Sequence, residues 1–248
     1  SKLLGEGGYS TGYINLLVSR LLSWLGTAKE WGLIDDVPSV SRLKQVEETW
    51  TEMGDDEVEA LVSVADLDDP THQLCLFAIN TGLRSGEIRA LRWQDVDLDE
   101  RKVTVSKSAR ANGKLGPTKN KLVRTLPLNA MAHEVLTRQR PNSQLAGELV
   151  WPKRGKPYSP RDLLDAIKQL CRDAGIEEVT FHTLRHTFAS RLARKGVSMR
   201  ILQALLGHKS IKSTERYTHL CPARFNVEVS LLDMEGKPAS DCAELAPG

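Results

Sequence analysis

The segment His182-Thr-Leu-Arg185-His186 sets an imidazole and a guanidinium three residues apart at the start of a predicted helix. Leu184, Phe188 and Leu192 fall at i, i+4 and i+8 and form its buried stripe, which leaves His182, Arg185 and Ala189 on a different face. Such donors, beside the positive end of a helix dipole, make a compact anion site, and phosphate is its natural guest. A purely structural hydrogen-bonded network is the competing reading of the pair taken alone. His182 and His186 also have the i, i+4 spacing of a helical zinc site. The glutamate of H-E-x-x-H is missing, however, and Arg185 repels a cation, so no metal is expected.

Two further groupings flank this one. Upstream, Thr81-Gly-Leu-Arg84-Ser-Gly-Glu87-Ile places Arg84 in the joint between two helices, with Glu87 one turn later. Downstream, Leu205-Leu-Gly207-His208 closes a helix, and a second helix then presents Tyr217, nine residues after His208. A tyrosine in that place is ordinarily a ring in the core. The three groupings together, in this order, resemble the signature of the tyrosine recombinase (phage integrase) family across roughly residues 50–220. Glu30-Trp-Gly-Leu-Ile34 and the helix before it also resemble the last helix of that family's core-binding domain.

The resemblance implies a division of labour. Arg84 and Arg185 would hold the nonbridging oxygens of a scissile phosphate, since two guanidinium groups neutralise a pentacoordinate phosphorus without a metal. His208 would add a third donor. Tyr217 would attack phosphorus to give a 3′-phosphotyrosyl link, with His182 as assistant base. Lys119 of Pro117-Thr118-Lys119-Asn-Lys121 would protonate the leaving 5′-oxygen, with Lys121 and Lys114 as alternatives because one sequence does not set the hairpin register. Glu87 would orient Arg84, and His186 would brace its helix. No cofactor and no ATP are implied, and the chain has no G-x-x-x-x-G-K-[ST] loop. The implied partners are double-stranded DNA attachment sites, a homotetramer on synapsed DNA formed from free monomers, and accessory DNA-bending and directionality proteins. The implied setting is a bacterial cytoplasm, associated with the nucleoid, with a prophage, another mobile element and a chromosome-resolving system all open as the source, the motif wording being more like a phage integrase. A type IB topoisomerase-like enzyme and a non-catalytic DNA-binding protein are the alternatives.

These residues need a scaffold, and the expected fold class is α+β: mainly helical with a small antiparallel sheet, the tyrosine-recombinase catalytic fold, behind a partial helical core-binding segment. Helices are predicted over Ile14–Trp31, from a cap at Thr51 or Asp55 to Ala65, and over Leu74–Asn80 closed by Gly82. A short helix capped by Ser85 follows, and then Ala130–Gln139, Arg161–Ala174, His182–Lys195, Met199–Leu206 and Ile211–Leu220. Strands at Lys102–Lys107 and Lys121–Pro127 frame a turn-rich stretch holding Asn112, Gly113, Gly116 and Pro117. The expected division is 1–45 as the core-binding remnant and linker, 46–225 as the catalytic domain, and 226–248 as a tail exchanged between protomers or disordered. The start at Ser1, with no complete small domain ahead of the first helix, reads as the remainder of a longer chain.

The composition, 40% hydrophobic and 27% charged, suits a globular chain with a sizeable core. Its apolar run Leu16–Leu25 is broken by Ser19, Arg20 and Ser23, short of the roughly 20 residues that span a bilayer, so no membrane contact is expected. Four scattered cysteines with no C-x-x-C pair suggest neither zinc nor disulfides. The net charge of +2 conceals a strong segregation. Residues 47–69 carry ten acids and no Lys or Arg, whereas 101–124 carry eight basic residues and no acid. Residues 185–216 carry eight more bases against Glu215 alone. Two separate basic runs point to a polyanion.

Overall fold

The computed structural model describes residues 9–44, 51–118, 122–144 and 148–222, without side chains for 142–144. The chain divides into two units, Ser1–Trp50 and Thr51–Gly248. The expected tail, 226–248, lies outside the described residues, and so do Lys119 and Lys121.

In the first unit, α1 (Thr11–Glu30) starts three residues before the expected Ile14, because the Ser10 hydroxyl accepts from the Tyr13 amide at 3.2 Å and caps it. The chain then returns along the helix. The Asn15 side chain donates to the Leu43 carbonyl at 2.8 Å and accepts from the Leu43 amide at 2.9 Å. Leu17, Leu21 and Trp24 remain exposed along one face.

The second unit is built around a helix buried on nearly every side. After α2 (Asp55–Val64), α3 (Pro70–Thr81) begins with Pro70 in its first turn and the Asp69 carboxylate accepting from the Thr71 and His72 amides. Gln73 through Ile79 and Thr81 are all buried, as expected for a helix packed from several directions. Its one large polar side chain that is fully buried is satisfied: Gln73 donates to the Leu67 carbonyl at 2.7 Å and accepts from the Trp151 indole at 3.0 Å. Trp151 is therefore a core residue.

The chain continues through α4 (Ser85–Arg89), β1 (Val96–Asp97), β2 (Lys102–Val105), β3 (Lys107–Ala109), β4 (Leu115–Pro117), β5 (Arg124–Pro127) and α5 (Ala130–Gln144). A small hairpin, β6 (Pro152–Lys153) and β7 (Lys156–Pro157), leads to α6 (Pro160–Asp173), α7 (Phe181–Arg194), α8 (Met199–Leu206) and α9 (Lys212–Glu215). Helices α5, α6 and α7 pack around α3. The antiparallel sheet β1-β2-β5 turns Val103, Val105 and Leu126 into the core. No described helix is long and apolar enough to cross a membrane.

The architecture is the expected mainly helical α+β fold, with local departures. The cap of α2 is Gly54, neither Thr51 nor Asp55, and the Glu57 carboxylate reaches back to the Gly54 amide at 2.7 Å. Ser85 is the first residue inside α4, whose cap is Arg84, because Glu87 accepts from the Arg84 amide at 2.9 Å. The basic hairpin breaks at Ser106 and re-pairs as β3 with β4, so Gly116 and Pro117 are strand residues and the reversal sits at Arg110–Gly113. The expected helix Ile211–Leu220 is interrupted: α9 ends at Glu215, and a 3₁₀ turn, Thr218–Leu220, follows Tyr217.

Candidate active site

Two arginines pair with one carboxylate, and a third lies within reach of its charge. Arg84 leaves the left-handed turn at Gly82, where φ is 63° and a Cβ would lie 2.3 Å from the Phe188 ring, so only glycine permits the close approach of α7. The Arg84 Nη1 donates to Glu87 Oε1 at 3.0 Å. From β5, Arg124 donates to both oxygens of the same carboxylate, Nη2 to Oε2 at 2.8 Å and Nη1 to Oε1 at 3.1 Å. The Glu87 side chain is 1% exposed. Burial works against its charge, but the bonds and charges of Arg124, joined by those of Arg84, hold its carboxyl below the usual carboxylate range.

The arginines also close two helix ends. Arg185, buried on α7, donates from Nη1 to the Gly82 carbonyl at 2.5 Å and from Nη2 to the Leu206 carbonyl at 2.6 Å. Arg124 Nε donates to the Leu205 carbonyl at 3.0 Å, and Arg84 Nη2 to Gly207 at 3.4 Å. These carbonyls end α3 and α8, both finished by a left-handed glycine, and carry the negative ends of the helix dipoles. Burial, then the neighbouring Arg84, push the Arg185 guanidinium down to about 9, which leaves it charged at neutral pH. Gly207 is required as well: a Cβ there would lie 2.8 Å from Arg124 Nη1.

Two histidines and the tyrosine complete the cluster. His208 follows Gly207, and its Nδ1 lies 2.9 Å from the Thr214 hydroxyl; burial and the charges of Arg185 and Arg84 push it down to about 4. His182, whose side chain is exposed on α7, is lowered as well, first by the partial desolvation of its ring against the protein and then by Arg185 and Arg216. Tyr217 is 3% exposed, its ring packed with Ala189, Ala193, Leu202 and Leu206. The two alanines leave the slot between α7 and α8 that the ring occupies. Burial raises the phenol to about 12 even though Arg216 and Arg185 favour its anion.

The structure thus gathers Arg84, Glu87, His182, Arg185, His186, His208 and Tyr217 in one region. It also adds Arg124, which sequence reasoning took only as a basic hairpin residue. Its position next to a strand end gave no hint of a partner thirty-seven residues earlier. His186, expected to brace its helix, has its Nδ1 2.5 Å from the Tyr217 hydroxyl. Lys114 is exposed beside the hairpin reversal. The neighbours of residues 119–121 are joined across that segment by a bond from the Thr118 hydroxyl to the Leu122 carbonyl at 3.0 Å.

Comparison with known proteins places this arrangement. The profile described as the phage integrase family matches residues 52–224. The chain belongs to the phage integrase family. The integrase of Salmonella phage P22 is 28% identical over 217 residues, covering 83% of this chain and 53% of that protein. A XerC-like tyrosine recombinase of Caldanaerobacter subterraneus is 30% identical over 189 residues, covering 64% and 48%. The chain thus spans about half the length of these two curated relatives. Among solved structures, the Tn1549 transposon integrase in complex with a circular intermediate DNA superposes with a TM-score of 0.77 at 23% identity, covering 92% of this chain and 81% of that one. The XerA recombinase follows at 0.61 and 24%, covering 93% and 79%. This phage integrase family chain therefore shares their fold, and its matched region contains every arginine and histidine of the cluster as well as Tyr217.

Proposed function

We propose that this chain carries the cutting and rejoining step of a site-specific DNA recombinase or integrase, working through a 3′-phosphotyrosyl intermediate. The observation that carries the reading is the convergence of Arg84, Arg124 and Arg185, opposed among the described residues by Glu87, beside His208 and the hydroxyl of Tyr217. Three guanidinium groups against one carboxylate leave a positive excess in a partly buried place, which a phosphodiester would complete. Arg84 and Arg185 hold the nonbridging oxygens, and His208 adds a donor. The Tyr217 Oη–P bond forms as the P–O5′ bond breaks. The departing 5′-oxygen takes a proton from a hairpin lysine, for which Lys119 is the choice. Attack by a second 5′-hydroxyl reverses the sequence and restores Tyr217. Bond energy is kept in the phosphotyrosyl link, so no ATP is consumed.

The substrate class is double-stranded DNA carrying an attachment site, and the assembly is four protomers on two sites, formed from free monomers with accessory DNA-bending and directionality proteins. The basic stretches 101–124 and 185–216 supply the phosphate contacts. The setting is the cytoplasm of a bacterial host, at the nucleoid. These assignments rest on the family and on the charge of the site. The test incubates wild type and Tyr217→Phe with a nicked attachment-site duplex, denatures, and looks for protein joined to the 3′ end. An adduct in wild type that Tyr217→Phe lacks supports the reading, while no adduct from the full-length protein on its own site overturns it.

A further inference from the structure

The reaction must take a proton from the Tyr217 hydroxyl, and the local geometry designates a receiver other than His182. The His186 Nδ1 lies 2.5 Å from Oη, with both groups buried. Among the described residues the side chain within hydrogen-bond distance of Oη is that of His186, whereas His182 is exposed and meets His186 edge-on, with ring centroids 4.5 Å apart. We propose that His186 is a catalytic residue, the base that accepts the phenolic proton on Nδ1 as Tyr217 attacks phosphorus and returns it when the phosphotyrosyl bond is broken. The inference rests on the strand-transfer reading of the same site.

The step balances with the ring in the tautomer that carries its hydrogen on Nε2. The Oη–H bond breaks toward Nδ1, the oxygen lone pair forms the Oη–P bond, and His186 becomes an imidazolium while the 5′-oxygen leaves with a proton from elsewhere. The groups that act on His186 are His182 and Arg185 on its own helix and Arg216 beside Tyr217; the charge of Glu52 acts on the tyrosine and opposes its ionisation. In the absence of DNA, burial and then those cationic groups hold His186 down to about 4, so it is neutral and able to accept. An arriving phosphodiester anion beside Arg185 offsets part of that positive field and makes the imidazolium easier to form. The base gains strength only when substrate is bound, and the tyrosine stays protonated until then.

The experiment measures single-turnover adduct formation between pH 5 and 9 on a nicked duplex, with oxygen or sulfur as the 5′-bridging atom. A thiolate leaves without a proton, so the sulfur substrate isolates the nucleophile's half of the reaction. His186→Asn places an amide oxygen near Nδ1, which holds the tyrosine but does not take its proton. The expected result is a loss of about 10²-fold at pH 7 on both substrates, with the variant's rate climbing roughly tenfold per pH unit as hydroxide replaces the base. Should His186→Asn fold poorly, His186→Gly with added imidazole substitutes for it, and recovery of rate that follows the neutral imidazole fraction is expected. A variant with the wild-type rate and profile, a deficit that is constant across pH, a deficit that vanishes with sulfur, or no recovery by imidazole would overturn the proposal. A wild type that forms no adduct would instead remove the strand-transfer reading itself.

Discussion

Replacing Glu87 with glutamine probes the centre of the arginine cluster without changing its shape. The carboxylate is 1% exposed and accepts from Arg84 and from both ends of the Arg124 fork, so water does not substitute for the lost charge. Removing one partner of a buried ion pair leaves uncompensated charge and costs about 3–5 kcal/mol. The glutamine amide still accepts one guanidinium bond, which places the expected loss near the lower end, about 3 kcal/mol. For a unit of this size that corresponds to a fall in Tm of about 6–12 °C. The assay is urea and thermal unfolding of wild type and Glu87→Gln, each with and without sulfate. Sulfate is expected to recover more stability in the variant, because three guanidinium groups with no carboxylate bind an anion more strongly. The deficit should shrink as pH falls through the lowered titration of Glu87, since the wild type then loses the same charge. A deficit below about 1 kcal/mol, or one that sulfate leaves unchanged, would show that Glu87 does not hold the cluster together.

Further outcomes are expected elsewhere in the second unit. Gly82→Ala forces a Cβ to 2.3 Å from the Phe188 ring at a φ of 63°, and should destabilise by about 2–4 kcal/mol in urea unfolding; a neutral effect would mean that α7 shifts freely. Ala189→Leu fills the slot of the Tyr217 ring, and should cost about 1–3 kcal/mol while exposing the tyrosine to solvent, as read by its fluorescence quenching and by a loss of adduct. His186 and His208 are both held down to about 4, below the ordinary 6.5, so their neutral forms contribute full stability above pH 6.5. As pH falls from 6.5 toward 4 the unfolded chain gains protons that the folded one resists, and up to about 3 kcal/mol per histidine is lost. A stability profile flat across that window, or unchanged in His208→Gln, would count against it.

The features that could be read from the residues in order were mostly local ones. Met199–Leu206 is a helix with the predicted bounds, and Gly82 and Gly207 close their helices in the left-handed conformation, because a cap and a stripe are written within a few residues of each other. Tyr217 was harder. Its helical setting suggested a continuous helix, but burying its ring between α7 and α8 breaks the helix at Glu215. The bonds of Arg124 to Glu87, and of His186 to Tyr217, join residues thirty-seven and thirty-one positions apart, and no spacing rule encodes such distances. The charge segregation was legible, yet part of it is internal: acidic Glu52 and Asp55 pair with Arg194 and Arg191, so the end of α7 is less basic than its composition suggests.

The carbonyls at the ends of α3 and α8 accept hydrogen bonds from Arg84 and Arg185, the guanidinium groups proposed to grip phosphate, and from Arg124 beside them. Loss of Arg185 would therefore remove chemistry and leave two helix termini frayed in the same step, and loss of Arg84 or Arg124 would loosen the end of α8. Drift toward an inactive but sturdy relative is correspondingly obstructed. A degenerate copy of this gene would shed its arginines only after other residues had learned to hold those helix ends, and its tyrosine, a buried ring between two helices, would pass more readily to phenylalanine than to any smaller residue.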